Sequence, residues 1–464
     1  MSSPVIPALA ELVVVSNRLP VAYIEDSSGE KIPLLSPGGL VAALAPALSG
    51  TGAAWVGWDG TENGSEVAFA LNGFVLQPVA LTGEQISGHY EGFSNSTLWP
   101  LCHDVGVPAE FSPHWWDAYV EVNQLFAQRV VDTTAPHGTV FVQDYHLMLV
   151  PALVRNARKD ISIGYFHHIP FPSPETLQTL ANAKDLLEGL CGSDLVGFQR
   201  HRDVQSFERA VAGTDIPHTD RQMPRSGAYP ISIDTQSVSD SAATHEVRQK
   251  ALALRSSWGN PDVVFLGVDR LDYTKGIPQR LLAFEELLAT GVASAENVVF
   301  VQAGSPSREN VARYQALSAE IDAIIHRVNS THLSSTGRKP IVYLRENLPR
   351  EDMLALFVAA DVMVVTSLAD GMNLVAKEFV ACRGDDSGVL ILSTQAGAAE
   401  QMAEALLVDA TDISDITRAM GHAMEMDDLE IARRMAVLRE DLAVNDVALW
   451  TRKILGDLRD TRRK

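Results

Sequence analysis

Short runs that are apolar on both faces alternate along this chain with longer stretches whose apolar residues recur at helical spacing, and Gly, Pro and Ser turns separate them. Residues 12–17 (LVVVSN), 140–144 (VFVQD), 161–168 (ISIGYFHH) and 193–199 (SDLVGFQ) read as buried strands in the first half. Residues 263–270 (VVFLGVDR), 297–304 (NVVFVQAG), 339–344 (KPIVYL), 361–367 (DVMVVTS) and 388–393 (GVLILS) do so in the second. Strands that lack inside–outside alternation suit a parallel sheet covered by helices on both faces. The spacing predicts helices over 277–289, 309–327, 350–359 and 396–404. Alternating strand and helix implies an α/β, doubly wound sheet. One such sheet rarely absorbs 464 residues. The short polar stretch 234–243 (DTQSVSDSAA) reads as a linker. The expected organisation is thus a Rossmann-like domain over 1–233, a second over 234–444, facing it across a cleft, and a last helix within 445–464 that crosses back to the first. Ligands of open α/β sheets sit outside the carboxyl ends of the strands, so the residues just after each run are the ones to read.

Composition narrows the function classes. Hydrophobic residues make up 46% and charged residues 20%, which is globular. The net charge of −21 repels nucleic acid and anionic membranes at long range, so neither is expected as a partner. A phosphorylated substrate would need a local basic pocket. Cys102, Cys191 and Cys382 are odd in number and far apart, which fits small thiols in a reducing cytoplasm better than a disulfide frame or a zinc ribbon. The first residues, MSSPVIPALAEL, have neither a basic start nor a long apolar core, so no secretory signal is expected, and no apolar run reaches membrane-spanning length.

Five clusters follow predicted strands. Arg18, in Ser16-Asn17-Arg18, stands where an open sheet binds ligand, and a guanidinium pairs bidentately with phosphate; the same residue is also an ordinary surface arginine in a turn. Gly38-Gly39 opens a stretch with free backbone N–H groups, although glycine pairs mostly just make turns. Tyr90 and Trp99, read as loop residues, suit either a sugar face or the core. Gln143-Asp144-Tyr145-His146 and Phe166-His167-His168 end adjacent strands. Their spacing does not match HExxH, and neighbouring side chains on a strand point to opposite faces, so sugar-hydroxyl contacts fit better than a metal. Arg270 and Lys275 straddle a tight turn before a helix, with Arg308 after the next strand; two cations at a helix start suit a diphosphate, and also occur as plain helix-flanking charges. In Asp370-Gly371-Met372-Asn373-Leu374-Val375, the last two amides would open a helix and Glu378 would turn back toward a ligand, where a carboxylate accepts both hydroxyls of a ribose; an Asp in a turn with a helical Glu is also commonplace. The P-loop pattern GxxxxGK[ST] does not occur.

Together, SNRLPV, PGGL, GFSN..LWP, QDYHL, HIPFP, RLDYTKG and DGMNLVAKE resemble the trehalose-6-phosphate synthase family, retaining glycosyltransferases of the two-Rossmann GT-B type, from about residue 12 to residue 450. The resemblance implies glucosyl transfer from a nucleotide-glucose to glucose 6-phosphate. Arg18 and Arg308 would hold the acceptor phosphate, Tyr90, Trp99 and Gly39 would line that site, and Asp144 would lie near the attacking hydroxyl. On the donor side, His168 and Gly39 would contact the donor, Arg270 and Lys275 the diphosphate, and Asp370, with Gly371, Met372 and Asn373, the glucose. The amides of Leu374 and Val375 would meet the phosphates and Glu378 the ribose. Asp144, His168, Arg270 and Lys275 would be the catalytic set. No metal or other cofactor is implied, since Arg270 and Lys275 can take a metal's place and no Asp-x-Asp occurs. A homo-oligomer is compatible with the family, and a separate trehalose-phosphate phosphatase would act on the product.

Two places depart from the family pattern. The segment 212–229 is shorter than in many relatives. Glu346 and Asn347 stand in the loop that the resemblance places beside the nucleotide base, where their oxygens could accept from the N1–H and amino group of guanine, so GDP-glucose rivals UDP-glucose. Two other readings stay in view: a related transferase with another acceptor or a pseudo-sugar, and a catalytically silent regulatory module, which should have lost donor ligands that are present here.

Overall fold

The computed structural model describes residues 9–25, 31–35, 41, 44, 48, 51–216, 223–306 and 311–461. It divides into two compact units, Met1–Ile231 with Ala448–Lys464, and Ser232–Val447. Each is built on one twisted sheet, so the chain is α/β with two Rossmann-like sheets, as the strand–helix alternation predicts.

Across the sheet of the first unit the strands run Arg225–Ala228, Leu195–Phe198, Ser162–His167, Thr134–Gln143, Ala10–Arg18, Ala54–Trp58, Phe74–Pro78 and Phe69–Leu71. Neighbours are parallel except the last pair. Chain order reverses between Ala10–Arg18 and Thr134–Gln143. The second sheet runs Ile341–Leu344, Val298–Ser305, Val263–Arg270, Val362–Val365, Val389–Ser393 and Leu406–Val408, all parallel. This is the 3-2-1-4-5-6 order of dinucleotide-binding folds, and it reverses between Val263–Arg270 and Val362–Val365. At such a reversal the helices leave toward opposite faces and a crevice opens at the strand ends.

The central strands are buried on both faces: Val13, Val14 and Val15, and likewise Val264, Phe265 and Leu266, are at most 1% exposed. Burying each such side chain is worth about 1.5–3 kcal/mol, enough to fix the register of the strand ends that carry polar residues. The helix Val447–Asp460 packs within the first unit, with Trp450 Nε1 donating to Tyr229 O at 3.0 Å and Tyr229 Oη to Asp457 Oδ2 at 2.8 Å. A Cβ on Gly164 would come within 2.8 Å of the tip of Leu458, so the glycine leaves room for this helix against the sheet.

Three local expectations are corrected. Residues 234–243 are no linker, because Thr235–Ala242 is a helix. Asp234 caps it by accepting from the Ser237 N–H at 3.0 Å, and Val238 and Ala242, one turn apart, are buried. The stretch 396–404 makes only the short 3₁₀ turn Gly397–Glu400. Its first amides turn instead to another loop, Gly397 N–H to Asp370 O at 3.2 Å and Ala398 N–H to Met372 O at 3.0 Å. Tyr90 is not on a loop: Ile86–Leu98 is a π-helix that runs into the helix Trp99–His103. Gly88 and Gly92 bring it against the long helix Pro113–Thr133, where a Cβ would meet Ala118 Cβ at 2.5 Å and the Trp115 ring at 2.4 Å.

Candidate functional site

Most of the sequence-predicted residues in the first unit converge on the reversal of its sheet. Arg18 is the last residue of Ala10–Arg18, and its guanidinium carbon lies 4.7 Å from the Trp58 ring centroid. Trp58 meets Tyr90 edge-on at 6.0 Å, and Tyr90 stacks on His146 at 5.9 Å. His146 contacts Tyr145 at 3.9 Å, which lies 5.8 Å from Trp99. An unbroken aromatic path therefore joins Arg18, Tyr90 and Trp99, with Asp144 next to Tyr145. Trp58 and Gly60 were not singled out by sequence, although WDG after an apolar run is the kind of strand-end signal that marks them. Gly60, at φ 95°, gives the guanidinium its room, since a Cβ would come within 1.9 Å of Arg18 Nη2.

Asp144 follows Thr134–Gln143 with φ 74° and ψ 167°, a conformation that costs a non-glycine residue about 1–3 kcal/mol. It is held there by its N–H donating to Phe166 O at 2.7 Å and by its Oδ1 accepting from the His168 N–H at 3.1 Å. The His168 ring is held on both sides. Gln143 donates its amide to Phe141 O, so its Oε1 accepts from His168 Nε2 at 3.0 Å. Gln199 accepts the Ile231 N–H on its Oε1 and turns its NH₂ toward His168 Nδ1 at 3.5 Å. This assigns the proton to Nε2. Burial, aided by nearby His167, brings the His168 pKa down to about 3, so the ring is neutral.

In the second unit, Arg270 ends Val263–Arg270, is exposed, and makes no hydrogen bond or ion pair among the described residues. Lys275 Nζ donates to Asp370 Oδ2 at 2.5 Å. Burial lowers the Lys275 pKa, but the Asp370 and Asp269 carboxylates outweigh it and hold the value above that of an ordinary lysine, so the ammonium stays charged. Asp370 Oδ2 also accepts from Ser367 Oγ and Asn373 Nδ2, each at 3.3 Å. Gly371 and Met372 are buried beside it. Asn373, at φ 114° and ψ 91°, caps the helix Leu374–Ala381 by accepting from the Ala376 N–H at 2.9 Å. The N–H groups of Leu374 and Val375 donate to no acceptor among the described residues, and they stand at the positive end of the helix dipole. Glu378, one turn on, is half-buried; burial raises its pKa and the Arg350 charge opposes the rise.

The loops of this site are sewn together through Gly276. Its φ is 59°, and a Cβ would lie 2.0 Å from Thr366 O. Gly276→Ala is expected to lower unfolding free energy by about 1–3 kcal/mol through backbone strain and the clash, read as a lower denaturant midpoint at unchanged slope.

Glu346 and Asn347 are exposed, on the loop after the edge strand Ile341–Leu344, two strands from the reversal. Gly39 and Arg308 lie outside the described residues. Among the described residues no three His, Cys, Asp or Glu side chains gather to hold a metal ion, and no helix is long and apolar enough to cross a membrane.

The glycosyltransferase family 20 model matches residues 10–460. A trehalose-6-phosphate synthase of Mycobacterium sp. (strain JLS) is 42% identical over 469 residues, covering 98% of this chain and 97% of that one. A Burkholderia xenovorans α,α-trehalose-phosphate synthase described as UDP-forming, solved in complex with glucose-6-phosphate, is 30% identical with a TM-score of 0.88, covering 97% of this chain and 99% of that one. An Escherichia coli structure bound with UDP-2-fluoro glucose is 31% identical with a TM-score of 0.87, covering 96% of this chain and 98% of that one.

Proposed function

We propose, from the premise that this chain belongs to glycosyltransferase family 20, that it moves glucose from a nucleoside diphosphate sugar to glucose 6-phosphate with retention, giving trehalose 6-phosphate. The observation that carries the reading is the donor-side arrangement. The guanidinium of Arg270 and two amides at a helix start, all without a partner among the described residues, and a charged Lys275 gather around one sheet reversal. That is a site for two linked phosphates. Arg18 and its aromatic path supply a separate cation backed by flat apolar surface, suited to a sugar phosphate. The relative solved with glucose-6-phosphate supports that acceptor.

In the proposed step the acceptor's anomeric hydroxyl oxygen bonds to the donor's anomeric carbon and the bond from that carbon to the diphosphate breaks. The hydroxyl proton passes to the departing phosphate oxygen. Such a reaction needs no pair of carboxylates about 5–5.5 Å apart, as a retaining glycosidase does. Catalysis is then positioning plus stabilisation of charge on the leaving diphosphate. Arg270 and Lys275 do the latter, Asp370 holds the transferred glucose, and neutral His168 and Asp144 shape the reacting end.

UDP-glucose is the first reading of the donor, supported by the UDP-forming description of the Burkholderia relative and the UDP sugar bound in the Escherichia coli one. GDP-glucose is the second, favoured by the exposed Glu346 and Asn347, whose acceptor oxygens suit guanine. The three free cysteines suit a reducing cytoplasm. Release of nucleoside diphosphate from UDP-, GDP- and ADP-glucose, with and without glucose 6-phosphate, tests the reading. Release that depends on glucose 6-phosphate and continues in EDTA is the expected result. Loss of activity in EDTA restored by Mg²⁺ would overturn the metal-independent step, and no release from any donor would overturn the function.

A further inference from the structure

Arg280, on the helix Ile277–Ala289, is wholly buried and bonds to Asp269, the residue before Arg270. A buried guanidinium is costly unless it is paired and hydrogen-bonded. Its Nε donates to Gln302 Oε1 at 2.8 Å, and its Nη1 donates to Asp269 Oδ2 at 2.7 Å and to Thr366 Oγ1 at 3.4 Å. Those three partners sit on or just after three neighbouring strands: Val298–Ser305, Val263–Arg270 and Val362–Val365. The two strands that flank the sheet reversal are among them. Thr366 Oγ1 in turn donates to Gly276 O at 2.8 Å, and Leu368 N–H to Thr274 O at 2.7 Å, so the loops bearing Lys275 and Asp370 hang from the same framework. Gly267 leaves the room for it, since a Cβ there would lie 2.5 Å from Arg280 Nε. The Nη2 of Arg280 has no acceptor among the described residues.

Charge gives the arrangement a purpose. Asp269 is 8% exposed and couples to both Arg280 and Lys275. Burial raises the Asp269 pKa, and the Arg280 and Lys275 charges oppose the rise, so without Arg280 a charged Asp269 would lean on Lys275. We infer that Arg280 is a positioning residue for the donor: it neutralises Asp269, leaves the Lys275 charge for the diphosphate, and locks the strand ends on either side of the sheet reversal. The inference rests on the transfer reaction proposed above.

The test uses the full chain and UDP as probe, with glucose 6-phosphate as control ligand. Arg280→Met is expected to weaken UDP binding by about 10- to 100-fold, within the usual span of coupling between neighbouring sites. The dissociation constant for glucose 6-phosphate should change much less than that for UDP, since Arg18, Tyr90, Trp99 and Asp144 belong to the other unit and, of the expected acceptor ligands, Arg308 alone belongs to this one. Adding Asp269→Asn to Arg280→Met removes the stranded carboxylate and should recover most of the UDP affinity, a rescue that a merely structural role would not produce. Arg280→Lys, which keeps charge but cannot reach three partners, should recover part. UDP binding by Arg280→Met equal to that of the parent, or a double variant no better than the single one, would overturn the inference. If Arg280→Met fails to fold, Arg280→Lys with and without Asp269→Asn carries the same comparison. A parent chain that binds no UDP or GDP would instead sink the proposed function.

Discussion

Lys275→Met should lower kcat with the nucleotide sugar by about 10²–10³-fold, the usual effect of removing one fixed group that stabilises developing charge. The ammonium sits 2.5 Å from Asp370 and stays charged because two carboxylates outweigh its burial. As the bond to the diphosphate breaks, negative charge grows on the leaving oxygen. A cation already in place pays no reorganisation then and favours the transition state over the bound donor. The KM for the donor should change less than kcat. Steady-state kinetics with the acceptor saturating would decide this, with thermal melting as control, since the substitution also strands Asp370. A kcat equal to the parent's in a folded variant would remove Lys275 from the catalytic set.

The second large effect is expected at Arg18. Arg18→Ala should raise the KM for glucose 6-phosphate by about 10²-fold, since each hydrogen bond to a charged group is worth about 1.5–3 kcal/mol. The KM for the nucleotide sugar should move little. The guanidinium lies on the Trp58 face, at a strand end with the Gly60 turn beside it, so its direction is set before any ligand arrives. Arg18→Lys should restore only part of the affinity, because an ammonium cannot reproduce bidentate contact with a phosphate. Initial rates at varied concentrations of each substrate separate the two constants. Equal changes in both would contradict an acceptor-phosphate role.

Both expectations begin from residues that stand out in the sequence, and the reason is the way an open parallel sheet works. Its strands are fully buried, so they appear as unmistakable apolar runs, and the first polar residue after each run falls at the ligand-binding edge. Arg18, Asp144, His168, Arg270, Lys275 and Asp370 were legible on that rule. The π-helix around Tyr90 was not, because its shape depends on Gly88 and Gly92 closing onto Ala118 and Trp115, residues more than twenty positions away. The turn at 397–400 was not either, since its amides answer to a loop near Asp370 rather than to their own neighbours.

What the chain's order of residues determined by itself is the α/β class, two sheets, and the strand-end cations and carboxylates, because burial periodicity and turn chemistry are local properties. What only the tertiary structure decided is which of those groups are free and which are spent. Arg270 is unengaged among the described residues, Lys275 is held against Asp370, and the His168 ring is bracketed by Gln143 and Gln199. Arg280, an ordinary helical arginine in sequence, becomes a buried charge tying three strands. Engagement and burial arise from contacts between residues far apart in the chain, and those set the charge and direction on which the chemistry depends.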